Sequence, residues 1–199
     1  MKEVSIVKEQ PADPEKVQVG HLTEHTESER LESAAEHLSQ MKELRPEVWS
    51  GLTETQREWS LRQVGRRLSE AYECPAPPFI GSQMAEVDGG TLLGAYSDSE
   101  YMTRRNRELL KEDDAGEALG TYCHEFRHAY QHEMATRYNS AFRHLCHDEA
   151  KAAQWATNLN GRYVSYEADP GSYEAQSVEK DARDFARSLT EEVRRRQRS

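Results

Sequence analysis

The sequence predicts an α+β domain that is mainly helical and contains a small antiparallel sheet. Three observations support this prediction. Apolar residues recur at three- and four-residue steps through several long segments, which is the period of an amphipathic helix. Between residues 79 and 96 this period gives way to short β-like runs around Asp88-Gly89-Gly90. The chain has 199 residues, which is the length of one ordinary domain.

The first half of the chain divides into a tail and two helices. Residues 1–24 are polar and aperiodic, so we expect a flexible N-terminal tail before a single domain over 25–199. A first helix is predicted over 27–44, with Leu31, Ala34, Leu38 and Met41 as its buried stripe. Thr53 and Gln56 form a capping box that begins a second helix, and Cys74-Pro75 ends it.

The second half begins with strands and continues as helix. Residues 79–87 and 91–96 predict a hairpin, and residues 101–103 predict a further short strand. A helix over 116–137 has the widest apolar face in the chain, so we expect it to be largely buried. Further helices are predicted over 147–159 and 173–196.

Composition excludes several classes of function. The net charge is −10, which argues against a general nucleic-acid binder and against binding to anionic membranes. Scattered cysteines, three in number, do not predict a disulfide framework. The sequence has no apolar run of membrane-spanning length and no secretory leader, so we expect a cytoplasmic protein as produced. Export by a route that needs no leader stays open.

Segment 124–128 reads HEFRH, an HExxH motif, and lies within the most apolar predicted helix. His124 and His128 are one turn apart on one helix face, so both imidazoles can bind a single Zn²⁺. Glu125 then lies beside the metal without binding it, where it can take a proton from a water on the metal. The alternative is a surface pair of histidines on an ordinary amphipathic helix.

Two segments resemble a known family. Residues 121–131, TYCHEFRHAYQ, resemble the active-site helix of small bacterial HExxH metallopeptidases. Residues 173–186 resemble the second signature of gluzincin-type enzymes, in which a downstream helix carries a glutamate as third ligand with alanine three positions later. Glu179 and Ala182 match this pattern, although Ser177 stands where many relatives have proline. The resemblance covers about 50–190 and implies a zincin-like metallopeptidase domain with Glu179 as third zinc ligand.

Helix geometry agrees with this assignment. Ala182 and Ala186 share a helix side with Glu179, and their small size allows close approach to the HExxH helix. Other candidates for the third ligand are Glu174, Glu167 and Asp169. His132 is excluded because a straight helix carries it about 6 Å beyond His128.

Further site residues are left open by the sequence. Asp181 or Asp184 can orient a ligand histidine through its second ring nitrogen, as metal-bound histidines usually require. The tyrosines available to stabilise an oxyanion are Tyr130, Tyr163, Tyr166 and Tyr173. Strand 91–96, where Gly94 allows close approach of a second backbone, is our candidate to pair with an extended substrate, or it is a plain hairpin strand.

Two cysteine-containing features are interpreted as minor. His144, Cys146 and His147 suggest a second metal site, but no further ligand lies near them in sequence. Cys123, next to His124, is expected to be a buried packing residue.

We therefore expect a zinc metalloendopeptidase that acts on a protein or peptide, with one catalytic Zn²⁺ and no nucleic-acid or membrane partner. The resemblance also implies a bacterial toxin or effector, or a phage-associated peptidase. The sequence identifies no inhibitor or immunity partner. Two alternatives remain: a non-catalytic binding protein with a zincin-like fold, and a zinc hydrolase of non-peptide amides such as cell-wall material.

Overall fold

The computed structural model describes residues 25–82, 84, 86–87, 90–91 and 93–198. The tail predicted over 1–24 lies outside these residues. The described chain is mainly helical and carries a small sheet before its longest helix. No described helix is both long and apolar enough to cross a membrane.

The N-terminal helices begin where side chains cap them. Helix α1 covers Glu27–Ser39 and starts at a capping box of Thr26 and Glu29. It ends earlier than the sequence predicts, because Lys42–Leu44 form a separate 3-10 turn ahead of the short helix α2, Pro46–Trp49. Helix α3, Glu54–Tyr72, has the predicted capping box of Thr53 and Gln56.

The strands form a mixed sheet, which corrects the predicted antiparallel one. Strand β1 (Phe79–Ser82) pairs in parallel with β5 (Met102–Asn106), and β4 (Gly94–Ser97) pairs with β5 on its other side in antiparallel fashion. The predicted hairpin is confirmed only as a smaller one, between β2 (Glu86–Val87) and β3 (Gly90–Thr91). Strand β5 lies between β1 and β4 and pairs with both, so β1 and β4 do not pair with each other.

Helix α4, Gly116–Tyr138, lies at the centre of the fold, as its wide apolar face predicts. It packs against α3, α5, α7 and strand β4. A cluster of edge-to-face aromatic rings surrounds Tyr72, with ring centroids 5.9 Å from Phe126, 5.3 Å from Tyr130 and 5.4 Å from Phe185. These contacts join α3, α4 and α7 into one core.

The C-terminal helices differ in detail from the prediction. Helix α5 covers Glu149–Leu159 after the N-cap Asp148. The helix expected over 173–196 is two helices, α6 (Pro170–Ala175) and α7 (Ser177–Gln197), because Gln176 between them is extended. Its side-chain amide accepts a hydrogen bond from Val164 N at 2.9 Å and donates one to Val164 O at 2.8 Å, which fixes the break.

Candidate metal centre

Three side chains converge between the two longest helices of the C-terminal half. His124 and His128 project from α4, and Glu179 projects from the first turn of α7. The two imidazole Nε2 atoms are 3.0 Å apart, and Glu179 Oε2 lies 3.5 Å from each. Tetrahedral ligands about 2.0–2.1 Å from a zinc ion are about 3.3–3.4 Å apart. The triangle of donor atoms therefore has the size that one such ion requires.

The burial of Glu179 and its lowered pKa agree with a cation site. The side chain is 1% exposed, and its Oε2 has no hydrogen-bond partner in the described structure. A buried carboxylate oxygen without a partner is costly, and a cation at the triangle removes this cost. Burial opposes ionisation of Glu179, but the imidazoles of His124 and His128 outweigh burial and hold its pKa well below the ordinary value.

A small residue, Ala182, and the hydroxyl of Tyr163 hold Glu179 beside the two histidines. Ala182 is fully buried in the contact of α7 with the core, so its small side chain lets the helices approach closely. The hydroxyl of Tyr163 donates a hydrogen bond to Glu179 Oε1 at 3.1 Å. One carboxylate oxygen is thus held by a hydroxyl, and the other faces the two imidazoles.

Glu125 lies beside this triangle but outside it. Its side chain is 5% exposed and packs against β4 at Gly94. Burial raises the pKa of Glu125 above the ordinary value, while the nearby charges of His128 and His124 act in the opposite direction. A carboxylate with a raised pKa is suited to accept and return a proton near neutral pH.

His124, Glu125 and His128 line an open cleft of about 890 Å³, whereas the buried Glu179 does not line it. One side is formed by strand β4 and the residue before it, Leu93. Strand β4 pairs with β5 on one side only within the part of the chain that the structure describes. The strand predicted over 91–96 is divided, since Thr91 belongs to β3 and only 94–96 lie in β4. The opposite side of the cleft carries Tyr163, Tyr166 and Tyr173.

The structure places the other candidates for the third metal ligand outside the triangle. Among the described residues, His124, His128 and Glu179 form the only group of three or more potential ligands. Glu174 is exposed, and Asp169 caps α6 by accepting from Ser172 N at 3.1 Å. Glu167 lines the cleft but lies outside the triangle.

The other histidines have different partners. His132 lies further along α4, with its Nδ1 3.3 Å from Asp98 Oδ1. His147 Nδ1 lies 3.0 Å from the hydroxyl of Tyr130, and its Nε2 lies 3.3 Å from Glu73 Oε2. The second metal site considered for His144, Cys146 and His147 therefore has no support among the described residues.

Three further expectations are resolved by burial and contacts. Tyr130 is buried away from the cleft, so it leaves the set of oxyanion candidates. Cys123 is completely buried, and burial raises the pKa of its thiol, which fits a packing role. Asp184 pairs with Arg187 at 2.6 Å and does not orient a ligand histidine.

Gln131 is a site residue that the sequence does not predict. This buried residue lies between His128 and Asp181: its Oε1 is 3.0 Å from His128 Nδ1, and its Nε2 donates to Asp181 Oδ2 at 2.9 Å. Asp181 therefore reaches the ligand histidine only through Gln131. The available signal was its position three residues after His128, which places it on the same helix face.

A scan against protein-family models finds no match, and searches of curated proteins and of solved structures find none either. The function is therefore inferred from the geometry of the site.

Proposed function

We propose that this protein is a zinc-dependent metallopeptidase in which His124, His128 and Glu179 hold the ion and Glu125 is the general base. One observation carries the proposal. Three donor atoms, from the two imidazoles and the Glu179 carboxylate, form a triangle with sides of 3.0, 3.5 and 3.5 Å at an open cleft, and a second buried carboxylate, that of Glu125, lies beside it. The resemblance of segments 121–131 and 173–186 to gluzincin-type enzymes supports the same assignment.

The donor set favours catalytic zinc over structural zinc. Two histidines and one glutamate are a known ligand set of catalytic zinc, which keeps a position open for water. A structural site would require a fourth protein ligand, and the described cluster contains three. His124 and His128 line the cleft, so a substrate has access to an ion that they hold.

The protein's own residues perform the proton transfers. When bound, the ion supplies Lewis-acid charge that acidifies water and polarises a carbonyl group. Glu125 accepts the proton that the water loses and donates it to the leaving amine. Tyr163, Tyr166 and Tyr173 line the same cleft. The hydroxyl of Tyr163 already donates its single hydrogen to Glu179 Oε1, which leaves Tyr166 and Tyr173 as candidate donors to an oxyanion on the substrate. Burial raises the pKa of Tyr173 further above its ordinary value, so its hydroxyl stays protonated at neutral pH.

A peptide is the substrate that the shape of the cleft favours. An extended chain can add to the outer edge of β4 by main-chain hydrogen bonds, which recognise peptide backbone of any sequence. Gly94 carries no side chain at the position where β4 contacts Glu125, so the strand lies close to the general base. From the resemblance alone, the proposal extends to a bacterial effector or toxin role.

The experiment compares the wild type with Glu125→Gln and, as a matched control on the same helix, the exposed Glu117→Gln. Elemental analysis after loading with zinc should give one ion per chain in all three proteins. Cleavage of a diverse peptide library should fall by about 10²–10⁴-fold in E125Q and be unchanged in E117Q. A wild type that retains no zinc, or an E125Q protein of full activity, contradicts the proposal. Cleavage of peptidoglycan but not of peptides would favour the cell-wall alternative.

A further inference from the structure

The imidazole of His128 has a hydrogen-bond partner, Gln131, that does not line the cleft and supplies no donor atom to the triangle. Gln131 is completely buried, and its Oε1 lies 3.0 Å from His128 Nδ1. A histidine ligand is useful only when its ring faces the metal and the nitrogen that faces the metal carries a lone pair. Both conditions depend on what the other ring nitrogen contacts.

The orientation of the Gln131 amide follows from its other contacts. Its nitrogen lies 2.9 Å from the carbonyl oxygen of Val178 and 2.9 Å from Asp181 Oδ2, and both of these atoms are acceptors. The amide nitrogen must therefore face them, and the amide oxygen must face His128. An amide oxygen only accepts, so His128 Nδ1 carries the hydrogen and Nε2 carries the lone pair. Nε2 is the atom that faces Glu179 and His124.

Asp181 is itself fixed by a buried arginine. Arg127 is 1% exposed and contacts both oxygens of Asp181, with Nε 2.7 Å from Oδ2 and Nη2 3.2 Å from Oδ1. Its Nη1 donates to Glu27 Oε1 at 2.8 Å, in the first turn of α1. A bidentate arginine–carboxylate pair has a defined geometry, so Asp181 presents Oδ2 to Gln131 in one position.

We propose that Gln131 is a positioning residue for the metal site, which sets the tautomer and ring orientation of His128 and is held in place by Asp181 and Arg127. This inference rests on the proposed function, because it assigns a role in holding the proposed ion. Gln131 contacts no substrate. Its effect reaches the site only through His128.

Zinc affinity is the first test, measured by competition with a chromophoric chelator. Gln131→Met keeps the approximate size of the side chain and removes the acceptor, and we expect zinc to bind about 10–100-fold more weakly. Tyr130→Phe is the matched control, since it removes a buried hydrogen bond from the adjacent residue of the same helix without touching a ligand. We expect the affinity of Y130F to equal that of the wild type.

The second test measures the tautomer of His128, and its main measurement uses the wild type alone. Long-range ¹H–¹⁵N NMR spectra of the metal-free wild type should show His128 protonated on Nδ1 when the ring is neutral, and Q131M should lose this preference. Protonation on Nε2 in the wild type, or a folded Q131M protein that binds zinc as tightly as the wild type, would overturn the proposal. If Q131M does not fold, the wild-type spectrum still tests the proposal, because it shows which nitrogen of His128 carries the hydrogen.

The two proposals fail in different ways. A wild type that binds no zinc removes the proposed function but leaves the tautomer measurement as a test of Gln131. A wild type that binds zinc and cleaves peptides, together with a Q131M protein of equal affinity, leaves the function in place and removes the role of Gln131.

Discussion

Gly94 of β4 lies directly against Glu125 of the HExxH motif: a Cβ atom at position 94 would be 2.9 Å from Glu125 Oε1. The same atom would be 2.7 Å from Thr121 Cγ2. Glycine is therefore required here by close packing, since the backbone of β4 occupies the space next to the carboxylate that we propose as the general base.

Gly94→Ala should displace the Glu125 carboxylate or β4 and leave the metal ligands in place. We expect peptide cleavage to fall by about 10²-fold or more, because small displacements of a catalytic group are costly. Zinc affinity should be unchanged. Gly81→Ala on β1 is the control, since the three atoms nearest its Cβ all belong to the guanidinium of Arg105, the closest at 3.2 Å, and none belongs to Glu125. The pair is compared by steady-state cleavage rates and zinc titration, and an active G94A protein would show that β4 does not constrain Glu125.

Zinc should stabilise the folded protein through the three ligands. A ligand that binds only the folded state adds about 2.7 kcal/mol when its free concentration is 100 times the dissociation constant. Urea unfolding with buffered zinc, and again with a chelator, should show this increment in the wild type and in Glu125→Gln. Glu179→Gln, which removes the charge of one ligand, should lose most of it. A full zinc-dependent increment in E179Q would exclude Glu179 as a ligand.

Acid should destabilise the protein through His147. Burial, together with the positive charge of Arg30, lowers the pKa of His147 from 6.5 to about 4. Because the unfolded state then binds the proton more tightly, the contribution to stability is complete above pH 6.5 and is lost as the pH falls towards 4. We expect a loss of about 1–2 kcal/mol after allowance for partial solvation of the ring.

The measurement is urea unfolding between pH 4 and 7.5, compared with His147→Gln. Glutamine retains an acceptor for the hydroxyl of Tyr130 and has no charge to gain. The difference in unfolding free energy between the two proteins should therefore change across this interval. A constant difference would show that His147 titrates alike in the folded and unfolded chains.

Two helical glycines should respond in opposite ways to the same substitution. Gly120 in α4 has no atom within 4 Å of the position of an added Cβ, so Gly120→Ala should stabilise the fold by about 0.5–1 kcal/mol. At Gly65 in α3, an added Cβ would be 2.9 Å from Tyr122 Cζ and would also overlap its hydroxyl. Gly65→Ala should cost about 1–3 kcal/mol because the core is overpacked. Thermal unfolding of both variants shows whether each substitution raises or lowers the stability of the fold.

Local signals predict much of this fold. The capping box of Thr53 and Gln56 correctly locates the start of α3, and the apolar face over 116–137 correctly predicts the central helix α4. The HExxH spacing alone places His124 and His128 on one turn of α4. Each of these features depends on residues within a few positions of one another, which is why sequence patterns reveal them.

Long-range pairing accounts for what the sequence does not predict. Strand β5 reads MTRRN and shows no apolar alternation, yet it is the central strand of the sheet. Its buried Arg105 lies 3.4 Å from Glu58 of α3, a contact with no local signature. The break at Gln176 depends likewise on hydrogen bonds to the backbone of Val164, twelve positions earlier. Such contacts exist only once distant segments meet.

The proposed ligands come from segments that are far apart in the chain, with His128 on α4 and Glu179 at the start of α7. An ion shared between them would act as a reversible cross-link that closes a loop of about 50 residues, and closing a loop of this length restricts the unfolded chain considerably. A shortened chain that ends before α7 would keep the HExxH motif yet have no triangle. The proposed peptidase activity would thus arise only after α7 has packed against α4. Activity would therefore depend on completion of the tertiary structure.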